Sequence, residues 1–315
     1  NNQEQIDKFM SENPNELYKN IKFLYYDLPY FLRFWKKKHR GALLYYYLWQ
    51  ICLPIFLWKN AVKFDVVHNL NFHNDWTPSF LWVFGKPFIW GPIGHHPMIP
   101  KRFLRYYSFK TLFADRARWI LKKLFWTLDP FLKISVAKAN KVLVMNTSVE
   151  KVLKLSPQKM QLMRSVSAEP ASATRQYNPN RFHVLSVGRF VALKGFDVAI
   201  NSFARFYHLL DNKQQKTVKL TLVGRGSEKE RLEQLIHEGV ISECTEIVNW
   251  VSREKLTDLY SQADIFLFPS HEGAGMVVAE ALSFGLPVLC FDNVGPGEQI
   301  DSSCGLKVPY SNYEN

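Results

Sequence analysis

A regular alternation of apolar strand patterns and amphipathic helix patterns between residues 182 and 291 leaves few folds open to this chain. The predicted strands are 182–187, 218–223, 245–248, 265–269 and 287–291, and the predicted helices are 196–210, 228–238, 253–261 and 276–284. Strands that alternate with helices in this way form parallel sheets covered by helices on both faces. The pattern therefore predicts a doubly wound α/β domain in the second half of the chain.

The first half of the chain carries a weaker version of the same pattern. Strands are predicted at 21–26, 64–68, 87–90 and 141–145, and the capping-box sequence Thr-Ser-Val-Glu at 147–150 predicts a short helix. Residues 166–180 are rich in Ser, Ala and Pro and lack periodicity, which is typical of a linker. Because 315 residues are enough for two cores, we predict a domain at 1–165, a linker at 166–180 and a domain at 181–315.

Residues 41–58 form an uncharged stretch of 18 residues, close to the shortest length that spans a bilayer. Gln50 and Pro54 interrupt this stretch, and three tyrosines lie in its middle. We therefore expect a buried or interfacial helix rather than a membrane span.

The net charge of +12 is concentrated in the first half of the chain. Residues 1–170 contain 26 Lys and Arg against 11 Asp and Glu, whereas residues 171–315 contain 14 against 17. Basic clusters occur at 36–40 and 101–107. This imbalance predicts a surface that meets an anionic partner. The chain has no RNA- or DNA-reading motif, so nucleic acid is not the expected partner.

Residues 116–128 form a basic segment with helical periodicity. Leu121, Leu124, Phe125 and Leu128 recur at helical spacing, and the cations of the segment, Arg116, Arg118, Lys122 and Lys123, lie elsewhere on the helix. A basic amphipathic helix of this kind suits an anionic membrane surface. An amphipathic core helix with solvated cations has the same pattern, and the sequence leaves both interpretations open.

Cysteine usage and the start of the chain bear on its location. Cys52, Cys244, Cys290 and Cys304 are widely spaced, no pair has metal-ligand spacing, and the polar opening residues do not form a signal peptide. We expect a cytoplasmic protein, peripheral on the inner face of the membrane if the basic half meets lipid.

Residues 268–287 carry the strongest functional pattern. Glu272 follows an apolar run that predicts a buried strand, Gly273 and Gly275 come next, and Glu280 lies within the following predicted helix. Glycines allow a ligand to approach the backbone, and a helix start attracts an anion. Two carboxylates flanking such a site can bind hydroxyl groups. A nucleotide sugar, with a diphosphate between two polyols, has this layout.

Two further loops follow predicted strands of the same half. The first contains Gly188, Arg189 and Lys194, and its two cations suit a diphosphate because ligands of open α/β sheets bind beyond the carboxyl ends of the strands. The second contains Gly224 and Gly226, which predict a tight turn. Lys229 stands where a dinucleotide fingerprint would have its third glycine, so the loop is not that motif.

Residues 182–309 resemble the donor-binding half of the retaining glycosyltransferases of family 4, which have the GT-B fold. The resemblance rests on four motifs in the family's order: 186–189 with 193–197, 222–226, 249–252, and the segment with Glu272 and Glu280. Residues 1–165 resemble the family's acceptor domain more loosely. The resemblance implies an α/β GT-B architecture, with two Rossmann-like doubly wound domains facing a cleft.

The resemblance also implies roles for individual residues. Arg189 and Lys194 would stabilise the departing diphosphate, Glu272 would face the transferred sugar, and Glu280 would accept hydrogen bonds from the ribose. Further donor contacts would come from Gly188, Gly224, Trp250, Val251, Gly273, Ala274, Gly275 and Met276. Asn249 replaces the usual glycine of the nucleobase loop. His95 is the candidate histidine near the transferred sugar, and whether it or His96 faces the cleft stays open.

The implied activity is transfer of a sugar from a nucleotide-sugar donor to an acceptor hydroxyl of a lipid-linked or polysaccharide glycan, with retention of configuration. The chain has no Asp-x-Asp sequence, and neither a metal nor a cofactor is expected. The family's glycine-rich first strand–loop and its C-terminal helices find no counterpart here, so we expect a fragment. Two alternatives remain: a sugar phosphorylase or epimerase of the same fold, and a non-catalytic membrane-associated scaffold.

Overall fold

The computed structural model describes residues 2–37, 40–70, 74–104, 107, 109–164, 167–171 and 175–310. Two parallel β-sheets form within these residues, one in each half of the chain. The predicted linker falls partly outside the described residues, at 166 and 172–174, and its boundaries stay a prediction. The basic clusters likewise include residues outside the described part, at 38, 39, 105 and 106.

The first half contains a four-stranded parallel sheet in the sequential order β1-β2-β3-β4. Its strands are β1 (Val67–Asn69), β2 (Phe88–Ile93), β3 (Lys141–Val144) and β4 (Met160–Leu162). Its helices are α1 (Asn2–Glu12), α2 (Tyr30–Arg33), α3 (Ala42–Lys59), α4 (Lys101–Leu104), α5 (Phe109–Leu128), α6 (Pro130–Lys138) and α7 (Ser148–Leu153). Apolar residues of β2 and β3, including Trp90 and Val142, pack with Leu132 of α6 to form the core of this half.

The second half contains a six-stranded parallel sheet in the order β10-β9-β8-β5-β6-β7. Its strands are β5 (Phe182–Val187), β6 (Val218–Val223), β7 (Thr245–Val248), β8 (Ile265–Phe268), β9 (Val288–Asp292) and β10 (Gly305–Pro309). Its helices are α8 (Phe196–Leu209), α9 (Asn212–Gln215), α10 (Lys229–Glu238), α11 (Arg253–Gln262) and α12 (Met276–Ser283). The strand order reverses between β5 and β8, and ligands of such sheets bind at the carboxyl ends of the strands beside the reversal.

The predicted alternation of the second half is confirmed, with strands at 182–187, 218–223 and 245–248 as predicted. The strand predicted at 21–26 is wrong, because this segment has no ladder partner among the described residues and leaves Ile21, Phe23 and Leu24 exposed. Of the strand predicted at 64–68, only the last two residues pair with a neighbouring strand, as the start of β1. The strands β4 and β10 were not predicted; most of their side chains are exposed, so their apolar signal is weak.

Of the two interpretations of the helix at 116–128, the amphipathic core helix with solvated cations is wrong. Leu121, Leu124 and Leu128 of α5 are exposed, whereas Lys122 is buried. Trp126 turns inward, where its indole N–H donates to the carbonyl of Asp75. The bulky tryptophans of this helix, and not its leucines, therefore set the face that packs against the domain. None of the helices in the described part of the chain combines the length and the apolar character that a membrane crossing requires.

Candidate functional site

Two loops at the carboxyl edge of the second sheet are locked together by backbone contacts. Gly195 ends the loop after β5 in a left-handed conformation, and a Cβ atom there would lie 1.9 Å from the carbonyl oxygen of Pro269. The backbone N–H of His271 donates to the carbonyl of Leu193 at 2.9 Å. These contacts hold the loop after β5 against the loop after β8, and so bring together the two predicted catalytic segments.

Lys194 and Glu272 form a buried ion pair where these loops meet. The Lys194 ammonium lies 2.6 Å from both carboxylate oxygens of Glu272. Burial raises the pKa of the Glu272 carboxyl, and the positive charges of Lys194 and Arg189 oppose that shift. Arg189 itself is exposed. The structure therefore brings the three predicted residues together, with one cation half-buried beside the buried carboxylate and one facing solvent. Such an arrangement can bind an anion and hold a carboxylate beside it.

The loop after β6 closes against the loop after β5 at a position where only glycine fits. A Cβ atom on Gly224 would lie 1.8 Å from the carbonyl oxygen of Gly188, and the Gly224 backbone has a positive φ. A Cβ atom on Gly226 would lie 2.2 Å from the carbonyl oxygen of Phe190. The predicted tight turn is confirmed, and it stacks the two glycine-containing loops on each other beside Lys194.

Glu280 is held between α11 and α12. Its carboxylate accepts hydrogen bonds from the Arg253 guanidinium at 2.9 Å and from the Tyr260 hydroxyl at 3.2 Å. These donors orient the carboxylate in a small cavity that is also lined by Glu169 and Thr257. Sequence reasoning missed Arg253 and Tyr260, although both lie on the helix that follows the predicted nucleobase loop.

Trp250 presents an open aromatic face in the loop after β7. Its side chain is 67% exposed, and the Arg225 guanidinium lies 5.7 Å from the centre of its ring. Val251 beside it is half-buried. An exposed indole next to a guanidinium can stack on a planar ring such as a nucleobase. Arg225 was also missed by sequence reasoning, which considered only the glycines of its loop.

The two histidines after β2 have different environments. His95 is buried, and its Nδ1 lies 2.8 Å from the Asp75 carboxylate. His96 instead accepts a hydrogen bond at Nδ1 from the backbone N–H of Gly273, at 2.9 Å. Its ring therefore contacts the second half of the chain, and the Gly273 N–H, predicted to face the donor, is engaged by that ring. Burial, followed by the charge of Lys122, lowers the pKa of His96 to about 4.

Asn146 joins the same loops. Its side-chain amide donates to the carbonyl of His95 at 2.9 Å and to the carbonyl of Gly273 at 2.6 Å. The next residue, Thr147, donates its hydroxyl and its backbone N–H to the Glu298 carboxylate. The capping box predicted at 147–150 therefore does not form, although its helix does, because the Thr147 side chain is committed to the other half of the chain.

The remaining predicted donor residues lie around the start of α12. Gly275 precedes the helix, and no side chain of the described residues caps it. Ala274 is half-buried and Met276 is exposed. The described residues also contain no group of three His, Cys, Asp or Glu that could hold a metal ion.

Comparison with known structures identifies the architecture. The crystal structure of WaaG, a glycosyltransferase involved in lipopolysaccharide biosynthesis, aligns with 87% of this chain and 71% of its own, with a TM-score of 0.58 and 18% sequence identity. The apo lipopolysaccharide outer core galactosyltransferase WaaB aligns with 84% of this chain and 66% of its own, with a TM-score of 0.55 and 14% identity. The chain has the GT-B fold.

Sequence comparisons connect this GT-B chain with known glycosyltransferases over part of its length. Residues 169–314 match the family model for glycosyl transferases group 1. The amylovoran biosynthesis glycosyltransferase AmsK of Erwinia amylovora is 27% identical over 191 residues, 57% of this chain and 43% of AmsK. The O-antigen chain mannosyltransferase B of Escherichia coli is 34% identical over 109 residues, 34% of this chain and 28% of that enzyme. The chain thus spans less than half the length of these relatives.

Proposed function

We propose that the protein transfers a sugar from a nucleotide-sugar donor to a hydroxyl of a lipid-linked or polysaccharide acceptor, with retention of configuration. The observation that carries the proposal is the buried Lys194–Glu272 pair, with Arg189 nearby, at the carboxyl edge of a doubly wound sheet. Similarity of residues 169–314 to glycosyl transferases group 1 supports the same conclusion.

In the proposed reaction the bond between the anomeric carbon and the diphosphate oxygen breaks, and the electron pair leaves with the diphosphate. Lys194 and Arg189 stabilise the negative charge that develops there, which is worth most where water is excluded. The acceptor oxygen bonds to the anomeric carbon on the face that the diphosphate leaves, and its proton passes to the departing phosphate oxygen. Glu272 holds the Lys194 ammonium in place and orients the hydroxyls of the sugar.

The nucleoside would occupy the surface between Glu280 and Trp250. The Glu280 carboxylate is already oriented by Arg253 and Tyr260, so it can accept hydrogen bonds from two ribose hydroxyls at little entropic cost. The Trp250 and Arg225 side chains offer stacking for the base. Neither contact distinguishes uracil from guanine, so we leave the base to experiment.

A thermal-shift titration with UDP, GDP, ADP and their common sugar conjugates tests the donor site. A ligand that binds only the folded protein adds about 2.7 kcal/mol to stability at a hundredfold excess over its Kd. We expect one nucleotide series to raise the Tm of the wild type, and Glu280→Ala and Arg189→Ala to lose that response. Arg205→Ala is the control, because Arg205 is an exposed arginine on α8. If no series raises the Tm, or if both variants respond like the control, the donor site is wrong.

The same nucleotide series separates transfer from the alternative chemistries. A glycosyltransferase releases nucleotide only when it passes the sugar to an acceptor or to water. A phosphorylase releases the sugar only when inorganic phosphate is added, and a non-catalytic scaffold binds liposomes without binding nucleotide. Product analysis with and without phosphate therefore decides among the three.

We also propose that the first half of the chain binds an anionic membrane surface, because α5 exposes Leu124 and Leu128 beside the exposed Lys123. Leu124→Glu should weaken cosedimentation with anionic liposomes, and added salt should weaken it further. Leu209→Glu is the matched control, since Leu209 is 86% exposed on α8 of the other half. Equal binding by the two variants, or equal binding to anionic and neutral liposomes, contradicts the membrane proposal.

A further inference from the structure

Lys122 of α5 is a buried lysine without a close partner. Lys122 is only 9% exposed, although its sequence neighbours Leu121 and Lys123 are exposed. Within the described residues, its ammonium forms no hydrogen bond and no ion pair within 4.0 Å, and it is not among the enclosed polar atoms that lack a partner, so it keeps contact with solvent. The stem of Lys122 is buried while its charge is compensated by no close protein group, and an anion that reaches this point would therefore find a cation without a protein partner.

The position of Lys122 follows from the packing of its helix. Trp119 and Trp126 lie about one turn on either side of it, with ring centres 5.4 Å apart. Trp126 lies 5.2 Å from the His95 ring and donates to the Asp75 carbonyl. The face of α5 that contains Lys122 therefore looks onto the loops that carry Asp75, His95 and His96.

His96 is near cations from both halves of the chain. The charges of Lys122, from the first half, and Lys194, from the second, both lower its pKa. The His96 ring also accepts the Gly273 N–H, so Lys122 of the first half and the Lys194–Glu272 pair of the second half both lie near the place where the two halves meet.

The carboxylate that acts most strongly on Lys122 is already engaged. Asp75 favours the charged form of Lys122, but its Oδ2 lies 2.8 Å from Nδ1 of His95, and it forms no ion pair with Lys122. The negative charge of Asp115 also favours the charged form of Lys122, and the positive charge of Arg118 disfavours it. The ammonium is therefore only partly compensated by the protein around it.

We propose that Lys122 forms an anion subsite on the acceptor side of the cleft, which binds a carboxylate or phosphate group of a substrate. This group is additional to the donor diphosphate, which Arg189 and Lys194 would bind, so the inference rests on the proposed function. Two sources would present the same chemistry: the carboxylate of a uronic-acid donor, or the phosphate of a lipid-linked acceptor. A neutral substrate would displace water from the ammonium without supplying an opposite charge, and that difference generates selectivity.

Binding measurements with matched ligand pairs test the subsite and identify its source. One pair is the glucose and glucuronic-acid conjugates of UDP, or the mannose and mannuronic-acid conjugates of GDP, according to the base found above. The other pair is farnesyl phosphate and farnesol, measured without nucleotide. We expect the wild type to prefer the anionic member of one pair by about tenfold or more, the value of a charge-assisted hydrogen bond.

Variants at two lysines assign the preference. Lys122→Met should abolish it, Lys122→Arg should keep most of it, and Lys133→Met, which removes an exposed lysine from α6, should leave it unchanged. Preference within the nucleotide-sugar pair identifies a uronic-acid donor, and preference within the farnesyl pair identifies a phosphate-bearing acceptor.

The inference is overturned if the wild type binds both members of each pair equally, a result that does not depend on whether any variant folds. It is also overturned if Lys122→Met weakens the neutral and anionic ligands alike, since Lys122 then only supports the fold. If the protein binds nucleotides but does not distinguish the anionic from the neutral member of either pair, only the subsite is overturned. If it binds no nucleotide at all, the proposed function is overturned.

Discussion

At the scale of single residues, His96 makes the contact between the two halves sensitive to acid. Its pKa is lowered to about 4, so between pH 6.5 and 4 the folded protein binds fewer protons than the unfolded chain. The contribution of His96 to the free energy of unfolding is therefore complete above pH 6.5 and is lost as the pH falls towards 4, by roughly 3 kcal/mol at most. Buried His183 and His271 act in the same direction.

We expect His96→Asn to reduce this pH dependence. The asparagine side-chain oxygen can accept the Gly273 N–H in place of Nδ1, but it does not titrate. Urea unfolding at pH 7.5, 6 and 5 measures the effect, and the loss of stability on acidification should be smaller in the variant than in the wild type. Identical losses would mean that His96 is not neutral in the folded protein.

The sequence could predict part of the site and not the rest, for a physical reason. Arg189, Lys194 and Glu272 follow strands of one sheet, so the parallel topology alone brings them to one edge. The choice between His95 and His96 depends on which ring meets Gly273, a contact between residues far apart in the sequence. The burial of Lys122 was hidden as well. The leucine spacing separated the leucines of the helix from its cations, and a packed face made of leucines would have left Lys122 exposed.

At the scale of elements, the left-handed glycine after β5 is expected to be essential for joining two loops. Gly195 and Gly85 have nearly the same φ, 65° and 63°, but only Gly195 is in close contact, with the Pro269 carbonyl. Gly85→Ala should cost about 1–2 kcal/mol from backbone strain alone. Gly195→Ala should cost at least about 2 kcal/mol more, because the loops must separate.

Urea unfolding of both glycine variants separates strain from the steric clash. The nucleotide thermal shift should survive in Gly85→Ala and disappear in Gly195→Ala, since only the second change displaces Lys194 from Glu272. Equal destabilisation by the two substitutions would show that the loop after β5 is not held by this contact.

Local sequence predicted some strands correctly and failed for others. The strands β5, β6 and β7 are rich in apolar and β-branched residues and are each followed by Gly or Asn, and all three were predicted to the residue. The segment 21–26 has a similar composition but no ladder partner in the described residues, and it remains irregular. Strand propensity reports how well a residue suits a sheet, and it does not supply the neighbouring strand.

At the scale of the whole molecule, the two halves meet through polar contacts that composition does not reveal. Tyr107, in the basic first half, donates its hydroxyl to Asp197 of α8 at 2.8 Å, and the Arg231 guanidinium lies 3.9 Å from the Tyr107 ring centre. The Arg164 guanidinium donates to the carbonyl of Glu298. In these contacts a tyrosine hydroxyl meets a carboxylate and an arginine meets a backbone carbonyl, so the anionic partner that the charge imbalance predicts for the first half stays a prediction.

Asn146 should be the contact on which the arrangement of the two halves depends most directly. Its amide is fully buried and binds one carbonyl from each half, those of His95 and Gly273, so Asn146→Ala leaves two acceptors without this donor. We expect a loss of about 2–3 kcal/mol and a larger radius of gyration in small-angle scattering, because the halves separate more readily.

Asn293→Ala provides the comparison that isolates this effect. Asn293 is also buried, and its amide donates to the carbonyl of Ser270 at 2.7 Å, within the second half. Its loss should lower stability without changing the radius of gyration. If both variants keep the wild-type radius, the contact at Asn146 stabilises its own loop and does not hold the halves together. An expanded Asn146→Ala beside a compact Asn293→Ala, both tested for nucleotide binding, would show whether donor recognition requires the first half to be in place.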